Sequence, residues 1–351
     1  MKGIVLATLL SVAATTAYAQ QQPQFTHYGL NGMYLNPAYA GIKGQTEINV
    51  IGRYQYLSLG NTVGDANGSP RTGMVSASIP VLATNGGVGA TVYYDQAGVT
   101  NLTNAALSYS QHIKLGRGQL GIGVQGSFTY LSKGSYRPID LNDPYVPESG
   151  SDHKFDAGAG LWYEAPKFYA GLSLNNLFRS TYTLQSARYA TDASGAVKLD
   201  ANGKPTIVGY QNTSQYLGEN HAYFTAGYNI EASSSVTVTP MVLVKAVLPG
   251  RYDASSKYDN QHNYSFEGGV RATLNDQFWA GLNYRQDESI AGMIGYGFGA
   301  DNRYRIGYAF DFIAFNQDAR AFSSHEIMLS LRLPKALMLT RPAIRTPRYS
   351  F

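Results

Sequence analysis

From Gln45 onward the chain alternates apolar and polar residues with a period of two, in segments that run to about ten residues or more, the length a tilted membrane strand needs. Across 119–130 the even positions are Leu120, Ile122, Val124, Gly126, Phe128 and Tyr130. The odd ones are Gln119, Gly121, Gly123, Gln125, Ser127 and Thr129. The same pattern sets Tyr304, Ile306, Tyr308, Phe310 and Phe312 against Arg303, Arg305, Gly307, Ala309 and Asp311. It also sets Tyr264, Phe266, Val270, Ala272 and Leu274 against Ser265, Glu267, Gly269, Arg271 and Thr273. Alternation alone also fits a soluble β-sandwich. Segment length and the aromatic ends of the segments favour strands that cross a membrane.

The spacing of the breaks between segments points the same way. Tight polar turns are expected at 84–86, 116–118, 165–166, 233–234, 275–276 and 301–302. Longer connections are expected near 60–69, 96–100, 133–151, 178–215, 249–260, 286–289 and 315–321, with Asn202-Gly203 as a hairpin tip inside the longest. Short and long alternate, as in an up-and-down outer-membrane barrel with short periplasmic turns and longer outer loops. The expected fold is all-β: a transmembrane antiparallel barrel of about 14 strands, even in number, with both termini at the periplasmic mouth. Composition agrees, with 28 Tyr, 14 Phe and 38 Gly and only 14% charged residues, against about 25% in ordinary soluble domains. A net charge of +4, scattered along the chain, does not suggest nucleic acid. The absence of cysteine excludes disulfides and thiolate metal sites.

Four regions are expected. Residues 1–19 read as a secretory signal peptide, with Lys2, an apolar stretch 4–14 and the small-residue site Ala17-Tyr18-Ala19. Residues 20–44 form a periplasmic or luminal segment, 45–333 the barrel and 334–351 a basic tail carrying Lys335, Arg341, Arg345 and Arg348 with no acid. In 22–41, QPQFTHYGLNGMYLNPAYAG, the apolar residues are too bunched for a strand, and Gly29 and Gly32 weaken a helix. Pro37 pushes Asn36 out of the helical region. A short, partly helical plug or collar follows from this.

The run QPQFTHY…YLNPAYAG resembles the N-terminal signature of the PorP/SprF family, outer-membrane proteins of the type IX secretion system. Phe315-Asn316, Asp318, Arg320 and Ser324-His325-Glu326-Ile327, ahead of Leu329-Ser330-Leu331, resemble the family's last loop and strand. The resemblance implies a non-enzymatic component that supports secretion or surface anchoring of cargo, in some cases gliding adhesins with type-B C-terminal sorting domains. It implies partners in the periplasmic machinery, such as the PorK/PorN ring or a PorE-like lipoprotein, alongside outer-membrane lipids. It also implies structural roles for 36–41 and for His325-Glu326. The other reading of the same barrel is a channel for a small solute.

Catalytic, cofactor and metal signatures are weak. Gly121-x-Gly123-x-x-Gly126 matches a dinucleotide fingerprint but lies inside an alternating strand, where the glycines fall mostly on the polar face and make room in the lumen. The six histidines are dispersed, and Ser324 and His325 point to opposite faces of a strand. A luminal charge ladder is expected from Glu267, Arg271, Arg285, Asp287, Arg303, Arg305, Asp311, Glu326 and Arg332, pairing between neighbouring strands. An open channel would also be lined with charge, but such a ladder together with an inserted N-terminal segment favours an occluded lumen. Partner docking at the periplasmic mouth is expected from Phe25, Tyr28, Tyr34, Asn36, Pro37, Tyr39 and Gly41 together with Lys335, Arg341, Arg345 and Arg348. The exported protein is expected to begin at Gln20 and to run as a heat-modifiable barrel. N-terminal sequencing that still contains Lys2 would overturn this reading.

Overall fold

A computed structural model of the chain describes residues 22–57, 69–133, 150–194, 196–248, 264–313, 315 and 323–334. Its strands in order are β1 (Glu47–Tyr54), β2 (Arg71–Val81), β3 (Gly86–Ala97), β4 (Thr100–Leu115), β5 (Gly118–Lys133), β6 (Gly150–Glu164) and β7 (Phe168–Asn175). Then come β8 (Thr181–Tyr189), β9 (Ile207–Leu217), β10 (Asn220–Tyr228), β11 (Ile230–Glu231), β12 (Val236–Leu248) and β13 (Tyr264–Leu274). The last four are β14 (Phe278–Arg285), β15 (Ser289–Phe298), β16 (Tyr304–Ile313) and β17 (Ser323–Arg332). Every pairing in the main sheet is antiparallel.

The sheet closes into a single ring. β1 pairs with β17 from Glu47↔Arg332 to Tyr54↔His325, and β10 pairs directly with β12. Leaving out the two-residue β11, which extends the edge of β12, and the separate β8–β9 hairpin, 14 strands make the ring. Closure leaves no unpaired edge in the membrane, which a lipid-embedded sheet requires.

The alternation reads inside out relative to a soluble protein. Val124 is 58% exposed and Leu282 62%, while their strand neighbours Gly123 and Asn283 are buried. A sheet that turns its valines, leucines and aromatics outward and its serines and carboxylates inward is stable only with hydrocarbon around it. Among the described residues no helix is long and apolar enough to cross a membrane.

Connections alternate between the two ends. At one end are the tight turns after β2, β4, β6, β13 and β15, with Asn85, Gly116, Asn275 and Asp301 among the residues in the left-handed region. The expected turns at 84–86, 116–118, 165–166, 275–276 and 301–302 lie here, as does 233–234 between β11 and β12. Two connections expected to be long are also tight. β3 and β4 are joined through Gly98-Val99, with Gly98 at φ 58°, and β14 and β15 through 286–288, with Asp287 at φ 56°. One left-handed residue is enough to reverse an antiparallel pair, so neither place needs a loop.

The excursion 178–215 contains the β8–β9 hairpin, whose tip folds into two small turns. The Asp192 carboxylate accepts from the Ser194 and Ala196 N–H groups, and that of Asp200 from those of Asn202 and Lys204. Asn202-Gly203 turns as expected, with Gly203 at φ 75°. The hairpin leans on the luminal face of tall strand β6. Thr183 N–H donates to Asp152 (2.8 Å), Phe178 N–H to Asp156 (2.9 Å), and Tyr182 and Leu184 are buried. It therefore stands over part of the mouth at the loop end. An epitope inserted between Asn202 and Gly203 should be labelled on intact cells; labelling only after the outer membrane is broken would mean the barrel is inverted.

Candidate functional site

The barrel interior is organised by the segment 22–44, which descends through the lumen from the loop end to the turn end. It is built of three single turns: Tyr28–Leu30, Gly32–Leu35 and Pro37–Tyr39. Asn36 between the last two is extended (φ −150°, ψ 120°), as the following proline dictates. The segment touches the wall on every side. Tyr28 and Leu35 pack with Tyr223, Met241, Leu243, Met293 and Ala309; Phe25 packs with Ile51, Met74, Tyr93, Trp279 and Met328. Met33, Ala38, Tyr39, Ala40 and Ile42 pack with Trp162 and Tyr169. Strands from all around the ring thus meet one segment, which fills the bore.

Its upper end is fixed by buried charge. Both Glu326 carboxylate oxygens accept backbone N–H groups, Oε2 from Thr26 (2.8 Å) and Oε1 from His27 (2.9 Å). Oε1 also pairs with His27 Nδ1 at 2.7 Å, and Arg53 Nη1 reaches Oε2 at 3.2 Å. Asp311 sits beside this pair. It accepts from Thr26 Oγ1 (2.7 Å), Arg53 Nη2 (2.6 Å) and Arg285 Nη1 (3.1 Å). Arg285 continues to Glu267 (3.0 Å) and Glu288 (3.1 Å), and Asn283 Nδ2 donates to both the Thr26 carbonyl and Glu267, each at 3.1 Å. Glu326, Asp311, Arg53, Arg285 and Glu267 are all buried. Each charge is affordable in this place only because opposite charges and hydrogen bonds surround it.

The lower end is fixed by backbone contact. Asn36 Nδ2 donates to the carbonyls of Leu161 (2.9 Å) and Leu172 (3.0 Å), and its Oδ1 accepts from Ala38 N–H (2.9 Å). Ser173 and Ser110 donate to the carbonyls of Leu35 (2.6 Å) and Ala38 (3.0 Å), while His112 Nε2 lies 2.9 Å from that of Ala40. A Cβ on Gly123 would stand 2.3 Å from Ala38 N, and one on Gly121 2.6 Å from Ala38 O. The glycine motif of β5 is thus the groove that admits the arch 36–40, with no helix after it to hold a nucleotide. Tyr39 donates to Glu47 (2.6 Å), and burial together with this carboxylate pushes its phenol well above the ordinary value. Lys43 pairs with Glu164 at 2.5 Å, beside Trp162 stacked on Tyr169.

Several expected site residues therefore have other surroundings than the sequence implied. Phe25, Tyr28, Asn36, Pro37, Tyr39 and Gly41 are buried in the lumen, and Tyr34 donates to the Pro23 carbonyl (2.8 Å). These side chains face the barrel's own wall. Lys335, Arg341, Arg345 and Arg348 lie outside the described residues. Of the expected ladder, Glu267, Arg285, Asp311 and Glu326 join in one network. Arg305 instead pairs with Asp276 (2.9 Å) and Arg332 with Glu47 (3.1 Å), both near the turn end.

Two members of that ladder are corrected. Asp287 is exposed on its left-handed turn, and Glu288 takes the place next to Arg285. Arg303 lies in the turn before β16 and donates to the Ala300 carbonyl. Pairing also reaches beyond neighbouring strands: Arg53 on β1 meets Asp311 on β16, past β17. Inside a barrel long side chains converge toward the axis, so a strand can be skipped. Arg53, Glu288 and His27 were not identified in the sequence. Ser324 faces the lumen and His325 the outer aromatic belt against Tyr308 and Phe310, on opposite faces as strand geometry requires. Among the described residues no group of His, Asp or Glu side chains could hold a metal ion.

The sequence matches, over residues 17–331, the profile described as type IX secretion system membrane protein PorP/SprF. The chain belongs to the PorP/SprF family. No curated protein matches it. Its fold is similar to the toluene transporter TbuX of Ralstonia pickettii, at 12% identity and a TM-score of 0.47, covering 86% of this chain and 92% of that one. It is also similar to the toluene transporter TodX of Pseudomonas putida, at 12% identity and a TM-score of 0.45, covering 87% and 93%. This PorP/SprF protein is thus an outer-membrane barrel of the type IX system.

Replacing Glu326 by Ala should cost about 3–5 kcal/mol, because it leaves two buried N–H groups and the His27 imidazole without their acceptor and takes one of two carboxylates from Arg53. The unfolding midpoint of the detergent-solubilised barrel measures this, and an unchanged midpoint would show that the latch carries no stability. Gly123→Val should free the arch 36–40 without breaking β5. Faster hydrogen exchange at 36–40 in the variant than in the parent is the expected result.

Proposed function

We propose that this PorP/SprF protein is a non-enzymatic scaffold of the type IX machinery: a membrane-anchored post that supports secretion or surface anchoring of cargo without conducting it. The observation that carries this reading is the lumen, filled by the chain's own segment and locked to the wall by a buried charge network. A conduit for a folded or extended polypeptide needs an open bore. A scaffold needs a rigid barrel with an outer and an inner face.

On the outer face, the β8–β9 hairpin and its neighbours meet cargo, which the family resemblance suggests is a protein with a C-terminal sorting domain of type B, such as a gliding adhesin. On the inner face, the basic tail 334–351 and the tight turns meet periplasmic components such as the PorK/PorN ring or a PorE-like lipoprotein. Four cations without an acid suit an acidic partner surface. The buried aromatic residues of 25–41 hold the barrel in the form that presents both faces.

Two measurements separate the scaffold from a solute channel. In planar bilayers the protein should show no steady conductance; a large constant conductance would favour the channel. Removing 335–351 should leave an inserted, heat-modifiable barrel that no longer retains its periplasmic partner in a pull-down. Failure of the truncated chain to insert would instead make the tail, with Phe351 at its end, an assembly signal.

A further inference from the structure

The outward face of the barrel, otherwise built for hydrocarbon, carries a guanidinium close to its closing seam. Arg71, the first residue of β2, points out of the barrel and is exposed. Among the described residues no acid pairs with it. Its guanidinium lies over the Tyr54 ring, 5.0 Å from the centroid, and Nη2 donates to the Tyr54 hydroxyl at 3.4 Å. On the same face β2 exposes Val75 and Ile79. From Ile79 to Arg71 the strand climbs about 20 Å along the membrane normal, at about 3.3 Å per residue and a tilt of about 40°. The apolar band of such a barrel is about 25 Å tall, so Arg71 sits at its rim, level with lipid headgroups, beside the outward-facing Tyr54 and Tyr94.

Directly beneath this guanidinium the wall is bare. The next outward residue of β2 is Gly73, paired with Gly52 on β1, and a Cβ on either would meet nothing within 4 Å beyond its own chain neighbours. Tyr94 stands beside Gly73 and Ile327 beside Gly52, both exposed. Val50, paired with Val75, continues the apolar surface below. Together these make a shallow notch, floored by backbone and walled by apolar side chains, with a cation at its top.

We infer that Arg71 and the Gly52–Gly73 notch hold a phosphorylated glycolipid of the outer leaflet, its phosphate on the guanidinium and an acyl chain in the notch. A guanidinium presents a planar fork that matches phosphate oxygens, and stacking on Tyr54 holds that fork in place. A free phosphate would satisfy the charge and leave the notch unused. A lipid without phosphate would fill the notch and leave the charge unanswered. One molecule with both parts fits both features. The choice of leaflet rests on the loops facing outward, the orientation that the epitope between Asn202 and Gly203 tests. The site also borders the seam: Tyr54 pairs with His325, one residue along from the Arg53 and Glu326 pair that faces the lumen. A lipid seated there would brace the closing strands from outside, where the latch holds them from within.

Bisphosphorylated lipid A is the probe, titrated into the full-chain protein in detergent and read by native mass spectrometry. The parent should bind it roughly tenfold or more tightly than the same lipid stripped of its phosphates, as expected for hydrogen bonds between charged groups. Arg71→Gln should bind the two lipids alike. Gly73→Leu keeps the charge and fills the notch, and it too should weaken lipid A, which a site for the phosphate alone would not show. Should Arg71→Gln fail to give a heat-modifiable barrel, the comparison of the two lipids on the parent decides. A parent indifferent to the phosphates overturns the inference, and so does lipid A binding that is unchanged in Arg71→Gln. Displacement of the lipid by an equal concentration of inorganic phosphate would make this a free-anion site and overturn it as well. A parent that prefers phosphatidylglycerol to lipid A overturns the glycolipid as occupant whichever side the epitope reports, so that failure is separate from a failure of the orientation.

Discussion

A carboxylate in the middle of a barrel is either solvated by channel water or answered by the protein. In this chain Glu326 is answered by two backbone N–H groups, an imidazole and a guanidinium. Three of those four groups come from Thr26 and His27, so satisfying the charge and seating the plug are the same event. The remainder of the interior follows from that requirement. Asp311 needs Arg53 and Arg285, Arg285 needs Glu267, and Asn283 ties the last pair back to the Thr26 carbonyl. Removing any one member leaves another charge or polar group unanswered in a dry place, where the cost is several times that of a surface pair.

Much of the fold was legible because the membrane imposes a strict code. Strands facing hydrocarbon on one side must alternate, and turns at one end must be short, so the strand count and most breaks could be read from Leu120, Ile122, Val124 and their like. The connections at 98–99 and 286–288 were misread as long. A polar residue such as Asp287 looks the same in a loop as in a one-residue left-handed turn. The interior was legible only in part. Side-chain faces gave Glu267, Arg285, Asp311 and Glu326 as luminal, but their partners were hidden by distance along the chain. Arg53 and Asp311 are 258 positions apart, and Thr26 and Glu326 are 300 apart. The two stretches that carry the family resemblance, QFTHY and SHEI, are the two halves of one contact.

The glycines tell a similar story at shorter range. Gly121 and Gly123 were read as space in the lumen, and what occupies that space is the backbone of Ala38. Asn36 reaches past them to two carbonyls of the opposed strands β6 and β7, using the one side-chain amide in the arch as a clip. The pattern NPAYAG encodes a backbone shape that fits a glycine-lined groove. This is why its residues turned out buried, although their aromatic character suggested a surface for partners.

The seam of the cylinder lies between its first and last strands, from Glu47↔Arg332 to Tyr54↔His325, and the plug is the segment just before the first of them. Glu326 is on the last. Until that seam zips, Arg53 and Glu326, facing each other across it, are apart. The latch is therefore a late product of biogenesis, made when the final strand arrives. A nascent barrel with an open seam holds a loose leader and unneutralised carboxylates. A finished one has its leader sealed in place. The same contact that blocks the bore thus records that the cylinder has been completed.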